Sequence, residues 1–92
     1  MLLYAEVELF LPTCHSLKDK RSILKRIKKK LSQTLNIAVA EIAYQDLWQR
    51  TSLALVTVSE SNEINQHVLQ QAFDLMDSFG EAERTITNVE QR

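Results

Sequence analysis

One glycine, one proline and one cysteine occur among 92 residues, and each scarcity removes a class of explanation. With Gly80 alone, no glycine-rich loop can wrap a phosphate or a dinucleotide, because such loops bring backbone amides to the anion at several positions. Cys14 alone cannot form an internal disulfide, which agrees with a reducing compartment. Cys14 and His15 are adjacent rather than spaced as metal ligands or a thiol–imidazole pair, and His67 has no Cys or His near it in the chain. Neither a metal nor a cofactor is expected. No apolar run approaches the roughly 18 residues that cross a bilayer, and no basic segment followed by an apolar one opens the chain. The expectation is a cytoplasmic protein without membrane contact. Ninety-two residues make a single domain, 1–92, with one modest core.

What the chain does have is segregated charge. Eight of its 11 Lys and Arg residues fall between Ser16 and Leu31, beside a single acid, Asp19. Elsewhere Arg50, Arg84 and Arg92 face the remaining 11 acidic residues, so a net charge of -1 conceals a polarised molecule. A surface of that kind implies an anionic partner.

Hydrophobic period assigns the elements. Leu3, Ala5, Val7, Leu9 and Leu11 alternate with Tyr4, Glu6, Glu8 and Phe10, a strand with one buried face that Pro12 ends. Ser16 with Asp19 three residues on resembles a capping box. Leu17, Leu24, Ile27, Leu31 and Leu35 then form the apolar stripe of a first helix that Asn36 can end. Ile37 to Tyr44 and Thr51 to Val58 read as strands joined through the turn Gln45 to Arg50. After Ser59 or Ser61 as cap, Ile64, Val68, Ala72, Leu75 and Phe79 mark a second helix that stops at Gly80. Arg84 to Val89 is the last strand.

This order predicts an α+β fold, a ferredoxin-like β-α-β-β-α-β sandwich with a four-stranded antiparallel sheet and two helices on one face. Right-handed crossovers bring the segment His15 to Arg21 and the turn Gln45 to Arg50 to one edge. Those segments, Leu17-Lys18-Asp19-Lys20-Arg21 and Asp46-Leu47-Trp48-Gln49-Arg50, with Val39-Ala40-Glu41 before the second, resemble the YlxP-like family of small bacterial proteins of unassigned function. The resemblance covers nearly the whole chain. It implies the ferredoxin-like fold and a gene neighbourhood of transcription elongation, translation initiation and ribosome maturation.

On a helical projection Lys18, Arg21, Lys25 and Lys29 share one flank, with Arg26 and Lys30 continuing around the solvent side. Such a stripe can track phosphates, with strong salt dependence; the plain alternative is a solvated helix face. Lys20 falls inside the apolar stripe, where it either pairs with a carboxylate, Asp46 being the nearest candidate, or joins Lys18 and Arg21 in an anion pocket at the helix start. Trp48 either covers Leu17 or stacks on a base, with Gln49 and Arg50 as hydrogen-bonding neighbours. Tyr4 and Phe10 share the outer sheet face with Glu6 and Glu8, which would repel phosphate; that face reads as solvent or a dimer contact. An acid–base pair of His15 with Asp46 is the weaker alternative to local hydrogen bonding.

The expected function is therefore a non-catalytic RNA-binding module serving ribosome maturation or translation. Its candidate contacts are Lys18, Lys20, Arg21, Lys25, Arg26, Lys29, Trp48, Gln49 and Arg50, and its expected partner is RNA, ribosomal by the neighbourhood the resemblance implies. A homodimer or protein scaffold using the outer sheet face is one alternative. A small-anion sensor at the start of the first helix is another.

Overall fold

Alternation at the N-terminus becomes β1 (Leu2–Phe10), and the computed structural model describes all residues from Met1 to Arg92. There follow α1 (Leu17–Thr34), β2 (Ala38–Ala43), β3 (Arg50–Val58), α2 (Asn62–Asp77) and β4 (Glu83–Gln91). The strands form one sheet in the order β2-β3-β1-β4, every neighbouring pair antiparallel. This is the ferredoxin-like arrangement that the element order predicts. β1 lies at its centre, and β2 and β4 are the two edges.

Period two decides which side of β1 is dry. Leu3, Ala5, Val7 and Leu9 are buried, and they pack with Leu53 and Leu55 of β3 under both helices in one core cluster. Burying a side chain such as Leu9 or Ile27 completely contributes about 1.5–3 kcal/mol each. α1 sends Ile23, Leu24, Ile27 and Leu31 into this core. The Ser16 hydroxyl accepts the Asp19 amide at 3.0 Å, while the Asp19 carboxylate accepts the His15 amide at 3.0 Å. The capping box therefore closes one residue upstream of the cap, on His15 rather than on Ser16 itself. α1 ends at Thr34 because Leu35 turns extended, its amide still bonded to Leu31 O.

The phase of α2 differs from the sequence reading. Its buried residues are Asn65, Leu69, Ala72, Phe73 and Met76, whereas Ile64 is 47% exposed. The stripe through Ile64 and Val68 is displaced by one position because a polar residue occupies the innermost site of the first turn. Asn65 is fully buried, donates to Met1 O at 3.1 Å and accepts from Ser59 Oγ at 2.8 Å. It fastens the start of α2 to the start of β1. α2 stops at Asp77 with Ser78 as cap, before Gly80 is reached, and Gly80 does not adopt a positive φ.

Replacing Asn65 by Ala should lower the unfolding free energy by about 1–3 kcal/mol, since Met1 O and Ser59 Oγ lose a buried partner. Ile64→Ala on the same turn should change it by only about 0.5 kcal/mol. Urea denaturation of both variants checks the phase; equal effects would place Ile64 in the core.

Candidate nucleic-acid interface

The basic flank of α1 is built on a buried cation. Lys20 lies in the apolar stripe and is 1% exposed. Its ammonium reaches Glu41 Oε2 at 2.8 Å and donates to the Tyr44 carbonyl at 2.6 Å, and Thr51 Oγ1 donates to the same Glu41 oxygen at 2.6 Å. Glu41 is on the helix-facing side of β2, so α1, β2 and β3 meet in one polar knot. Burial pushes the Glu41 carboxyl up, but the bonds from Lys20 and Thr51, with the charges of Lys20 and Lys28, hold it below its ordinary value. The partner of Lys20 is thus Glu41 and not Asp46, because the ammonium points down onto β2 rather than out to the turn. Lys20 is correspondingly removed from the residues a nucleic acid could touch. An anion pocket of Lys18, Lys20 and Arg21 is not assembled either.

Six of the eight cations of α1 remain outside any ion pair: Lys18, Arg21, Lys25, Lys28, Lys29 and Lys30. At about 100° per residue, Lys28, Arg21 and Lys25 lie on the flank that looks toward β2, and Lys18 and Lys29 continue the row onto the solvent side. Arg26 does not belong with them. It lies on the opposite flank, pairs with Glu81 and sits 5.9 Å from the centre of the Phe79 ring. The Arg26 bond holds the Glu81 carboxyl below its ordinary range. Its charge is matched, which weakens its candidacy as a phosphate contact.

Between the flank and β2 runs a groove lined by Arg21, Leu24, Lys25, Lys28 and Glu41. Lys28 is not among the sequence candidates, and its projection borders the apolar stripe. The signal was its position one turn beyond Leu24, at the rim where a long side chain emerges beside the neighbouring strand.

The β2–β3 turn closes the end of this groove. Tyr44 has φ 64, a left-handed conformation that costs a non-glycine residue about 1 kcal/mol or more. Its carbonyl accepts both Lys20 Nζ and the Leu47 amide, at 2.6 and 3.0 Å, which fixes the reversal. Trp48 is 52% exposed and does not cover the core. It lines an open hollow of about 430 Å³ with Phe10, Asp46, Leu47, Gln49 and Arg50.

Gln49 and Arg50 are not free hydrogen-bonding neighbours of Trp48. The Gln49 amide donates to Pro12 O and Cys14 O, each at 3.1 Å, and Gln49 O accepts the Leu11 amide at 2.8 Å. Gln49 clamps the β1–α1 loop. Arg50 pairs through Nε with Glu8 and lies 4.2 Å from the centre of the Tyr44 ring. The pair explains why Glu8 is only 8% exposed on a sheet face with no helix over it. Neither His15 nor Asp46 makes a side-chain hydrogen bond, so the two form no acid–base pair, and no group of three or more His, Cys, Asp or Glu residues is gathered as a metal site. No helix is long and apolar enough to cross a membrane.

Comparison with known proteins agrees with this geometry at the level of family and fold. The family model described as "Protein of unknown function (DUF503)" matches residues 2–89. "Uncharacterized protein YlxP" of Bacillus subtilis (strain 168) is 43% identical over 90 residues, covering 98% of each chain. Among solved structures, a de novo designed protein with ferredoxin fold superposes with a TM-score of 0.64 at 13% identity, covering 100% of this chain and 87% of the design. SnoaB, a cofactor-independent oxygenase from Streptomyces nogalater, gives 0.61 at 6% identity, covering 99% and 92%. A designed protein and an oxygenase on one backbone show the shared fold alone.

Lys20→Ala should cost about 3–5 kcal/mol, because Glu41 is left without its partner, while Lys20→Met with Glu41→Gln should recover part of the loss. The pH dependence has a fixed sign. Glu41 has a lowered folded-state pKa, so its contribution is present above the unfolded carboxyl value of about 4.3 and fades as pH falls through the lowered value. Denaturant midpoints measured from pH 7 to pH 2 should show a smaller acid loss in Glu41→Gln than in the parent protein.

Proposed function

We propose, for a chain that belongs to the DUF503 family, a non-catalytic RNA-binding function exercised through the β2-facing flank of α1. The observation that carries this reading is the row of unpaired cations Lys18, Arg21, Lys25, Lys28 and Lys29 in a protein whose other charges are predominantly acidic. A solvated face needs polar residues of either sign, and helices gain from mixing them at i,i+4 spacing. This flank forgoes that gain and repels itself, which is explicable when an anion lies against it. Polymeric phosphate is the anion that suits a row rather than a point. Ribosomal RNA in the cytoplasm is the partner proposed, the expectation drawn from the gene neighbourhood of YlxP-like proteins.

A second reading has one observation in its favour. The outer sheet face exposes Ile42, Val58 and Ile86, at 40%, 55% and 51%, with no helix over them. On that reading the protein is a homodimer or scaffold, and salt hardly affects its association. A small-anion sensor is the reading with least support, since Lys20, in the first turn of α1, is buried and its ammonium is taken by Glu41.

Co-sedimentation with separated ribosomal subunits across a salt series tests the proposal. Four phosphate contacts would weaken binding roughly 50- to 150-fold between 50 and 200 mM salt. Reversing Lys18, Lys25 and Lys29 to Glu should abolish it while thermal unfolding stays near the parent, because all three face solvent. Absence of binding at low salt, or salt-independent self-association in its place, would overturn the RNA reading.

A further inference from the structure

The geometry points to unpaired RNA as the ligand: a single strand lying in the groove between α1 and the open edge of β2, its end stacked at Trp48. This inference rests on the RNA reading and names the class of RNA. Three features of the molecule converge on it.

The first is that the cations form one row. Arg26, the cation that would widen the positive surface around the helix, is paired with Glu81, which leaves Lys30 as the one unpaired cation on the opposite flank. A duplex presents two phosphate rows and would draw on cations across a broad face. A lone strand needs one row along its backbone, and Arg21, Lys25 and Lys28 supply it along the groove.

The second is the strand beside that row. β2 is an edge of the sheet, so alternate residues from Ala38 to Ala43 aim backbone N–H and C=O groups at no protein partner. Over six residues this edge runs about 20 Å. Ala38 and Ala40 point to the outer sheet face and are small, so they leave the backbone edge accessible from that side, and on the groove side Glu41 is the β2 residue that lines the space. Backbone donors and acceptors can meet the hydrogen-bonding edge of a base only where that edge is not already paired. Glu41, the one acid of β2, lies in the groove, yet Lys20 at 2.8 Å matches its charge from beneath.

The third is Trp48. β1 and β2 run parallel through the α1 crossover, so the C-terminal end of β2 and the N-terminal end of α1 lie together, and Lys20 binding to the Tyr44 carbonyl ties the turn there. A strand followed from Lys28 through Lys25 to Arg21 therefore arrives at the turn that carries Trp48. The ring is half exposed above a hollow bounded by Phe10 and Leu47 that opens toward the outer sheet face, so the strand's end rounds the turn to reach it, a platform on which an unstacked base can rest.

The test compares a single-stranded RNA of about ten nucleotides with the duplex of the same sequence, read by fluorescence anisotropy and by Trp48 emission. The strand should bind at least about tenfold more tightly than the duplex and quench Trp48, the only tryptophan. Trp48→Ala should lower strand affinity by roughly tenfold with duplex binding unchanged, and Trp48→Phe should restore most of it. Amide NMR shifts on adding the strand should fall in Ala38–Ala43 and Arg21–Lys28, and Lys28→Gln should weaken binding with the fold intact. Equal or tighter binding of the duplex, or shifts confined to Lys29 and Lys30, would overturn this inference and leave the RNA reading standing. Binding of neither RNA would overturn both.

Discussion

A lysine ammonium held inside the protein sets the relation between α1 and the sheet. Lys20, Glu41, Thr51 and the Tyr44 carbonyl come from the helix, both strands of a hairpin and its turn, and each needs the others to be satisfied. An apolar residue at position 20 would leave Glu41 facing the helix without a counter-charge. Hydrophobic packing of Ile27 or Leu31 would tolerate some sliding of helix over sheet, since dispersion and area burial are not directional. A buried ion pair with a shared hydroxyl is directional, and it tolerates no such displacement without leaving a charge bare. The strained backbone of Tyr44 persists because its carbonyl is gripped from two sides.

The same knot shapes the electric field outside. Glu41 reaches the groove between α1 and β2, where a free carboxylate would cancel a neighbouring lysine. Lys20 supplies that cancellation from within, so Lys25 and Lys28 face outward unopposed. On the far side of α1 the arrangement is inverted: Glu81 approaches from the loop before β4 and takes Arg26 for itself. An inward cation and an outward acid thus sharpen one flank, while on the other Arg26 is neutralised and Lys30 alone stays unpaired. Net charge alone, at -1, registers none of this.

The parts of the molecule that strict periodicity governs were legible in the sequence. β1 could be read because its odd positions are apolar and its even ones are not, and the start of α1 because Ser16 and Asp19 have a three-residue spacing with one structural meaning. α2 kept its place but lost its phase, since Asn65 is buried where the pattern expects a hydrophobe and Ile64 is exposed where it expects a core residue. Buried polar residues defeat a hydrophobicity pattern because they are inside on account of a partner, and the partners of Asn65 are Met1 and Ser59. The site suffered likewise. Lys20 was recognisable as inward-facing from its angle alone, but Glu41 rather than Asp46 was its partner because strand register, not sequence proximity to the turn, decides which carboxylate faces a helix. Gln49 and Arg50 looked free beside Trp48, and the loop they clamp and the acid they meet become visible only when β1 and β3 are paired.

The two edges of the sheet are protected unequally. β4 carries Glu83, Arg84, Glu90 and Arg92 along or beside its length, and its register with β1 shifts at Glu8/Leu9. Charges and a bulge are devices that discourage a further strand from adding. β2 has a register shift near its end, between Glu41 and Ala43, but its outward residues Ala38, Ala40 and Ile42 bear no charge. What guards it is the row of cations on α1 beside it. Cations repel a second copy of the same groove and attract anions, so one row of charge both discourages β2 from pairing with another β2 and suits the space beside it to the polyanion proposed. The open edge and the basic flank are two sides of a single constraint. An edge whose outward residues carry no charge depends for its protection on the neighbouring helix, and that helix is held at its angle by Lys20.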